Sequence, residues 1–307
     1  MKILVISSNL IGDTILSTGV IEHFYNIYPS AKFTFLIGPK ASQVYQNFPG
    51  LEEIIIIKKR KYNLHWFDMY SKCKNKKWDK IIDLRSSLLS YFFKTKKRYI
   101  FKKNNFLHHL EQLSNSFKIK TNQPHIYTNQ YEEEKANQNI DKDFKYIVIF
   151  PGGNWNPKIW SVHNFNKLLI RIIKNNKKIK FIIVGSINEK AKYIKKIQKN
   201  ISKEHFIDLM GESLTLTSAY MKKSNLFIGN DSGLMHLAAA SNLTTIGLFG
   251  PTNDKIYGYS DHKNIVIRTK ESYKYFQSIK INSNNSYMES ITPEEVYGKI
   301  QKINFDE

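Results

Sequence analysis

Four short stretches of this chain carry residue types that handle phosphate or a proton. In NDSGLMHLAAA (230–240) a strand-like run gives way to a small-residue helix, so Asp231 and Ser232 stand at capping positions, Gly233 allows close approach and Leu234 enters the first turn. The first-turn amides of a helix lack intrahelical partners and carry a partial positive charge, which suits an anion such as a phosphate. His236 falls one turn further, on a face that can reach the same ligand, although a lone histidine there more often serves the core. In PGGNWNPKIWS (151–161), Gly152 and Gly153 let backbone amides approach a phosphate, and Lys158 can balance the charge of a departing diphosphate. Trp155 and Trp160 read as anchors of that loop. In VGSINEKA (184–191), Glu189 stands near a helix start, where it can accept from a ribose or base or simply favour the helix dipole.

The fourth stretch, SSNLIGDT (7–14), follows the first strand and offers one acid, Asp13, where open α/β sheets place their ligands. Taken alone, an aspartate before a helix is more often an N-cap than a base. The loop has one glycine and not the three of a dinucleotide fingerprint, and the Walker pattern is absent. A basic loop, KKRKYNLHW (58–66), brings Lys58, Lys59, Arg60 and Lys61 together, either to receive an acidic ligand or as plain solvated surface.

The elements that must hold these loops are legible as branched apolar runs. KILVIS (2–7), FTFLIG (33–38), EIIIIK (53–58) and KIIDLR (80–85) read as strands, and 14–28 as a helix ended by Pro29. Polar, structureless sequence at 128–142 interrupts the rhythm, which restarts with strands YIVIFPGG (146–153), KFIIVG (180–185), FIDLMG (206–211), NLFIGN (225–230) and TTIGLFG (244–250), and a helix at 189–200. TPEE opens a last helix over 292–303 with an N-cap, a proline and two acids. Strands alternating with helices, several apolar on both faces, predict two α/β domains with parallel sheets, 1–142 and 143–307.

Composition closes some classes. The chain has 307 residues, one cysteine and no apolar run near the roughly 18 residues of a membrane span, so it reads as a cytoplasmic protein without disulfides or a cysteine metal cluster. With 47 Lys+Arg against 26 Asp+Glu its formal charge is +21, which attracts acidic partners but also fits a lysine-rich base composition. No nucleic-acid recognition motif accompanies it, so no nucleic-acid partner is expected.

Taken together, SSNLIGDTILSTGVIEHF, DLRSSLLSYFF (83–93), PGG followed by K-x-W (151–160) and GNDSGLMHLAAA with LFGPT (229–252) resemble the ADP-heptose:lipopolysaccharide heptosyltransferases, glycosyltransferase family 9. The likeness runs nearly end to end, and YMESITPEEV (287–296) fits the family's tail. It implies a GT-B fold, two Rossmann-like domains facing across a cleft, with the acceptor on the first, the nucleotide-sugar on the second and the C-terminal helix crossing back. It also implies inverting, metal-independent transfer without a cofactor. By that likeness Asp13 is the general base and Lys158 stabilises the leaving diphosphate. Gly152, Gly153, Asp231, Ser232, Gly233, Leu234 and His236 surround the donor phosphates, and Glu189 lies near the nucleoside. Lys58, Lys59, Arg60 and Lys61 would receive an acidic glycolipid or surface glycan, with peripheral contact at the inner face of the cytoplasmic membrane. Members often carry cysteines before the last helix; Tyr273, Lys274 and Tyr287 stand there instead. A rival reading is a noncatalytic nucleotide-sugar or anionic-glycan binding protein on the same fold.

Overall fold

The computed structural model of the chain describes residues 1–58, 65–120, 123–259, 261 and 263–303. The chain divides into two compact units, Met1–Asn129 and Gln130–Glu307. In the first, strands β1 (Lys2–Ile6), β2 (Lys32–Ile37), β3 (Leu51–Ile56), β4 (Trp78–Asp83) and β5 (Thr95–Ile100) form a parallel sheet in the order β3-β2-β1-β4-β5. Helices α1 (Ile11–Leu16), α2 (Thr18–Ile27), α3 (His65–Cys73) and α4 (His109–Phe117) accompany it. Ile3, Leu4, Val5 and Ile6 of β1 are fully buried, as a central strand covered on both faces requires.

The helix expected over 14–28 is two helices. Ser17 Oγ donates to Thr14 O and Thr18 Oγ1 to Ile15 O, so hydroxyls compete with the amides for the carbonyls and the axis breaks at Ser17. Strand β5 carries no run of branched apolar residues and lies half-exposed at the sheet edge, its register with β4 running from Trp78↔Thr95 to Asp83↔Ile100.

The second unit opens with α5 (Gln130–Asn139). Strands β6 (Lys145–Phe150), β7 (Ile179–Ile183), β8 (Phe206–Asp208), β9 (Leu226–Asn230), β10 (Thr245–Phe249) and β11 (Asn264–Arg268) form a parallel sheet in the order β11-β10-β9-β6-β7-β8. Its helices are α6 (Val162–Asn175), α7 (Ile187–Gln198), α8 (Leu214–Met221), α9 (Gly233–Ala240), α10 (Asp254–Tyr257), α11 (Tyr273–Ser278) and α12 (Pro293–Ile300).

The stretch at 128–142 is therefore not structureless, and the unit boundary falls before it instead of at 142. Helix α5 belongs to the second unit because it buries Ala136 and sends Glu132 to accept from Thr215 Oγ1 on α8, while Glu133 pairs with Lys222 at 3.1 Å. Helix α12 forms as expected, with Thr292 Oγ1 accepting from Glu295 N at 3.1 Å. Its Val296 and Ile300 join Phe165, Leu168, Leu169 and Ile172 in the second core.

Parallel sheets bind ligands beyond the carboxyl ends of strands where the chain order reverses. In the first unit that point lies between β1 and β4, and in the second between β6 and β9. The segments that follow β1, β6 and β9 hold Asp13, Lys158 and Asp231.

Candidate functional site

The loop after β6 and the turn after β9 are stapled together by one buried side chain. Asn230 Oδ1 accepts from Trp160 N at 3.0 Å, and its Nδ2 donates to Gly152 O at 2.8 Å. Trp160, fully buried, donates Nε1 to Ile291 O at 2.9 Å, which bears out its reading as an anchor. Between these fixed ends, Lys158 Nζ lies 3.5 Å from Asp231 Oδ2, with side chains only 14% and 8% exposed. Asp231, placed by the sequence at a capping position, is thus the partner that holds a lysine there. An ion pair this desolvated is positioned but not saturated, because an ammonium has three donors.

At the start of α9, Ser232 Oγ caps the helix by accepting from Met235 N at 3.4 Å. The amides of Gly233 and Leu234 precede that one and have no intrahelical acceptor. They open on the same turn as Asp231. His236 is 4% exposed, and its Nδ1 lies 3.2 Å from the Tyr259 hydroxyl. Burial drives the Tyr259 hydroxyl well above its ordinary range, so it stays protonated against the imidazole. The structure gives His236 to the segment after α10.

Glu189 accepts from Gly153 N at 2.8 Å through Oε1 and from Ser186 N at 2.9 Å and Ser186 Oγ at 2.6 Å through Oε2. One carboxylate therefore closes a capping box on α7 and fixes the glycine loop. A Cβ at residue 152 would sit 2.2 Å from Glu189 Oε1, so any other residue there would push that carboxylate off the Gly153 amide. After β10, Arg268 clamps the Gly-Pro-Thr turn by donating to Gly250 O at 2.7 Å and Thr252 O at 2.9 Å, and pairs with Asp254 at 2.6 Å. Thr252 Oγ1 is buried there without a hydrogen-bond partner.

In the first unit Asp13 lies in the first turn of α1, not at its cap. The cap residue is Leu10, and no side chain caps the helix. Asp13 Oδ2 instead accepts from Ser8 Oγ at 3.2 Å, and Ser8 Oγ accepts from Leu10 N at 3.1 Å. His109, the first residue of α4, feels the Asp13 carboxylate: burial pushes its imidazole below the ordinary value, and the Asp13 charge acts against that. Asp83 ends β4 opposite Ile6 of β1, accepts from Arg85 N at 2.9 Å and Ser87 N at 2.8 Å, and has its carboxyl pushed up by burial. Lys58 is exposed at the end of β3. Lys59, Arg60 and Lys61 lie outside the described residues.

With this geometry in place, the profile of glycosyltransferase family 9 (heptosyltransferase) matches residues 107–285. The chain belongs to that family. A lipooligosaccharide heptosyltransferase 2 of Campylobacter jejuni is 26% identical over 267 residues, 82% of each protein. The fold is similar to that of a family 9 glycosyltransferase from Veillonella parvula, with a TM-score of 0.79, 20% identity and coverage of 98% and 96%. It is also similar to the ADP-heptose lps heptosyltransferase II of E. coli, with a TM-score of 0.74, 20% identity and 98% of each chain covered. The family's GT-B architecture accounts for the two parallel-sheet α/β units.

For a family 9 glycosyltransferase, sequence reasoning missed Asn230, Arg268, Thr252 and His109. Asn230 carried a signal, being a polar residue ending an apolar strand, where a buried amide must find partners. Arg268 gave none, because β11 is a half-exposed edge strand. Among the described residues no group of three or more His, Cys, Asp or Glu could hold a metal ion.

Proposed function

We propose that this family 9 glycosyltransferase transfers a heptose from ADP-heptose to a lipopolysaccharide-type acceptor, inverting the anomeric carbon and using neither metal nor cofactor. The observation that carries the reading is the buried Lys158–Asp231 pair beside the open first turn of α9, at the chain reversal between β6 and β9. Aligned amides and a held ammonium supply the positive charge that a diphosphate leaving group needs. The E. coli relative is an ADP-heptose lps heptosyltransferase, which supports ADP-heptose as the donor, and the Campylobacter jejuni relative is a lipooligosaccharide heptosyltransferase, which supports a lipooligosaccharide acceptor.

In this reading the acceptor hydroxyl gives its proton to Asp13 as its oxygen bonds to the anomeric carbon. The bond from that carbon to the diphosphate oxygen breaks on the opposite face, and the electron pair leaves with the diphosphate. Lys158 and the amides of Gly233 and Leu234 meet the new charge. Gly152 brings its backbone amide to the phosphates, while Glu189 takes the Gly153 amide for itself and holds that loop near the nucleoside, and Ser232 and Asp231 keep the helix end and the lysine in place. The orphaned Thr252 hydroxyl gains a partner when the donor binds. His236 acts through Tyr259. Lys58, with Lys59, Arg60 and Lys61, receives the acidic glycolipid, so the protein works as a peripheral one at the inner face of the cytoplasmic membrane.

Thermal shifts against ADP-, GDP-, UDP- and dTDP-sugars test the donor, since a ligand that binds only the folded state raises its apparent stability. The expected result is a shift with the ADP-sugar that survives EDTA; a UDP- or GDP-selective shift overturns it. Turnover of a β-configured donor should give an α-linked product by NMR, and retention would overturn the single-displacement reading.

A further inference from the structure

The connection from β4 to β5 places apolar side chains where no fold requirement puts them. It makes a short 3₁₀ turn, Leu88–Phe92, whose Leu89 packs into the first core together with Phe93. Leu88, Tyr91 and Phe92 point the other way and are 69%, 62% and 68% exposed. In a 3₁₀ turn positions three apart eclipse, so Leu88 and Tyr91 share a face. Helix α3 extends the surface: Tyr70 stacks on Phe93 at 6.1 Å, and Phe67, one turn earlier, is 73% exposed. Single exposed apolar residues are ordinary, but three within a five-residue turn beside two more on a packed neighbour form a patch that marks an interaction surface.

The charge around the patch selects its partner. Residues 84–110 hold seven lysines and arginines and not one aspartate or glutamate, in a chain with 26 acids. Arg98 is built into the patch itself. It donates to Ser90 O at 2.9 Å and Phe93 O at 3.0 Å, which fixes the turn, and its guanidinium lies 5.0 Å from the Tyr91 ring centre. Lys94, next to Phe93, is exposed, and Lys97, Lys102 and Lys103 are exposed further along the same segment. Aromatic and aliphatic side chains in a cationic segment without acids match the boundary of an anionic bilayer, where rings enter the acyl edge and cationic groups meet headgroup phosphates. The patch lies in the connection that leaves the carboxyl end of β4, the strand beside β1, and returns to the start of β5.

We propose that Leu88, Tyr91 and Phe92, with Phe67 and Tyr70, form a membrane-docking surface that inserts shallowly into an anionic lipid bilayer. This deepens the reading of the acceptor as a membrane glycolipid by naming the surface that meets the membrane. It is tested without acceptor or donor, by cosedimentation with vesicles of equal parts phosphatidylcholine and phosphatidylglycerol, against pure phosphatidylcholine. The full chain should pellet with the anionic vesicles, and binding should fall about tenfold on neutral ones. Leu88→Ser/Phe92→Ser should lose a similar factor while keeping the wild-type thermal shift with ADP, which shows that the variant folds. Lys94→Glu/Lys103→Glu should lose binding mainly at low salt.

Failure of the wild type to pellet overturns the proposal. So does wild-type binding by Leu88→Ser/Phe92→Ser, since diffuse charge alone would then hold the chain. A wild-type dimer in sedimentation that the same variant dissolves assigns the patch to a second copy instead. If the chain pellets as expected but transfers no sugar, the transfer reading fails and the docking surface stands.

Discussion

Lys158 and Asp231 stand 73 residues apart in sequence and 3.5 Å apart in space, so each changes what the other can do. Removing one partner of a largely buried pair leaves a charge without compensation. Lys158→Ala should therefore cost about 3 kcal/mol in urea unfolding as well as weaken ADP binding. Lys158→Met/Asp231→Leu should recover most of that stability, because well-packed apolar residues replace a buried pair at little cost, yet leave ADP binding lost. If stability and nucleotide affinity return together, the pair is structural only. Asp13 does not cap its helix, and its role as the proposed base is read in turnover: Asp13→Ala should lower turnover by about 100-fold or more and leave the ADP thermal shift unchanged. Near wild-type turnover would remove the base assignment. The residue types at both positions were readable in the sequence. Their relation was not, since nothing in the stretch 230–240 says which lysine its aspartate meets.

At the scale of elements, the loops are held by caps and staples. Ser232→Ala should destabilise α9 by about 1 kcal/mol and weaken nucleotide binding with it, because the same cap orders the free amides. Helix α5 makes a sharper case. Its sequence is polar enough to read as a linker, but Ala136 is fully buried and Glu132 bonds into α8. Ala136→Arg should lower second-unit stability by about 2 kcal/mol in chemical denaturation, whereas a true linker would tolerate it. Central strands such as β1 and β9 announced themselves because burial on both faces demands branched apolar runs. Edge strands β5 and β11 did not, since one side of each meets solvent and the sequence there is free to be charged. Helix breaks such as that at Ser17 depend on hydroxyl back-bonding, which spacing alone does not specify.

For the whole molecule, fold class followed from the alternation of strands and helices, while the family followed from a few motif residues. Charge and pH act at this scale. Burial holds His109 below the ordinary histidine value, so between its folded value and about 6.5 the unfolded chain binds more protons. Stability therefore rises with pH through that window and is lost as pH falls through it. His109→Gln should flatten the loss seen in denaturation between neutral and mildly acidic buffer, and an unchanged slope would assign it to other groups. Asp83 works in the opposite sense: its folded value is raised, so its contribution is present at low pH and fades as pH rises through that value.

The two sheets share no strand, and every pairing within each is parallel. A parallel pair cannot close through a hairpin, so each sheet assembles only after long crossovers have been brought together. Refolding should consequently be slow and resolve into two phases, one for each unit. The charged outer strand β5, with Lys96, Lys97 and Arg98 in its middle, then acts as a gatekeeper that keeps a half-formed first sheet from recruiting a strand of another chain.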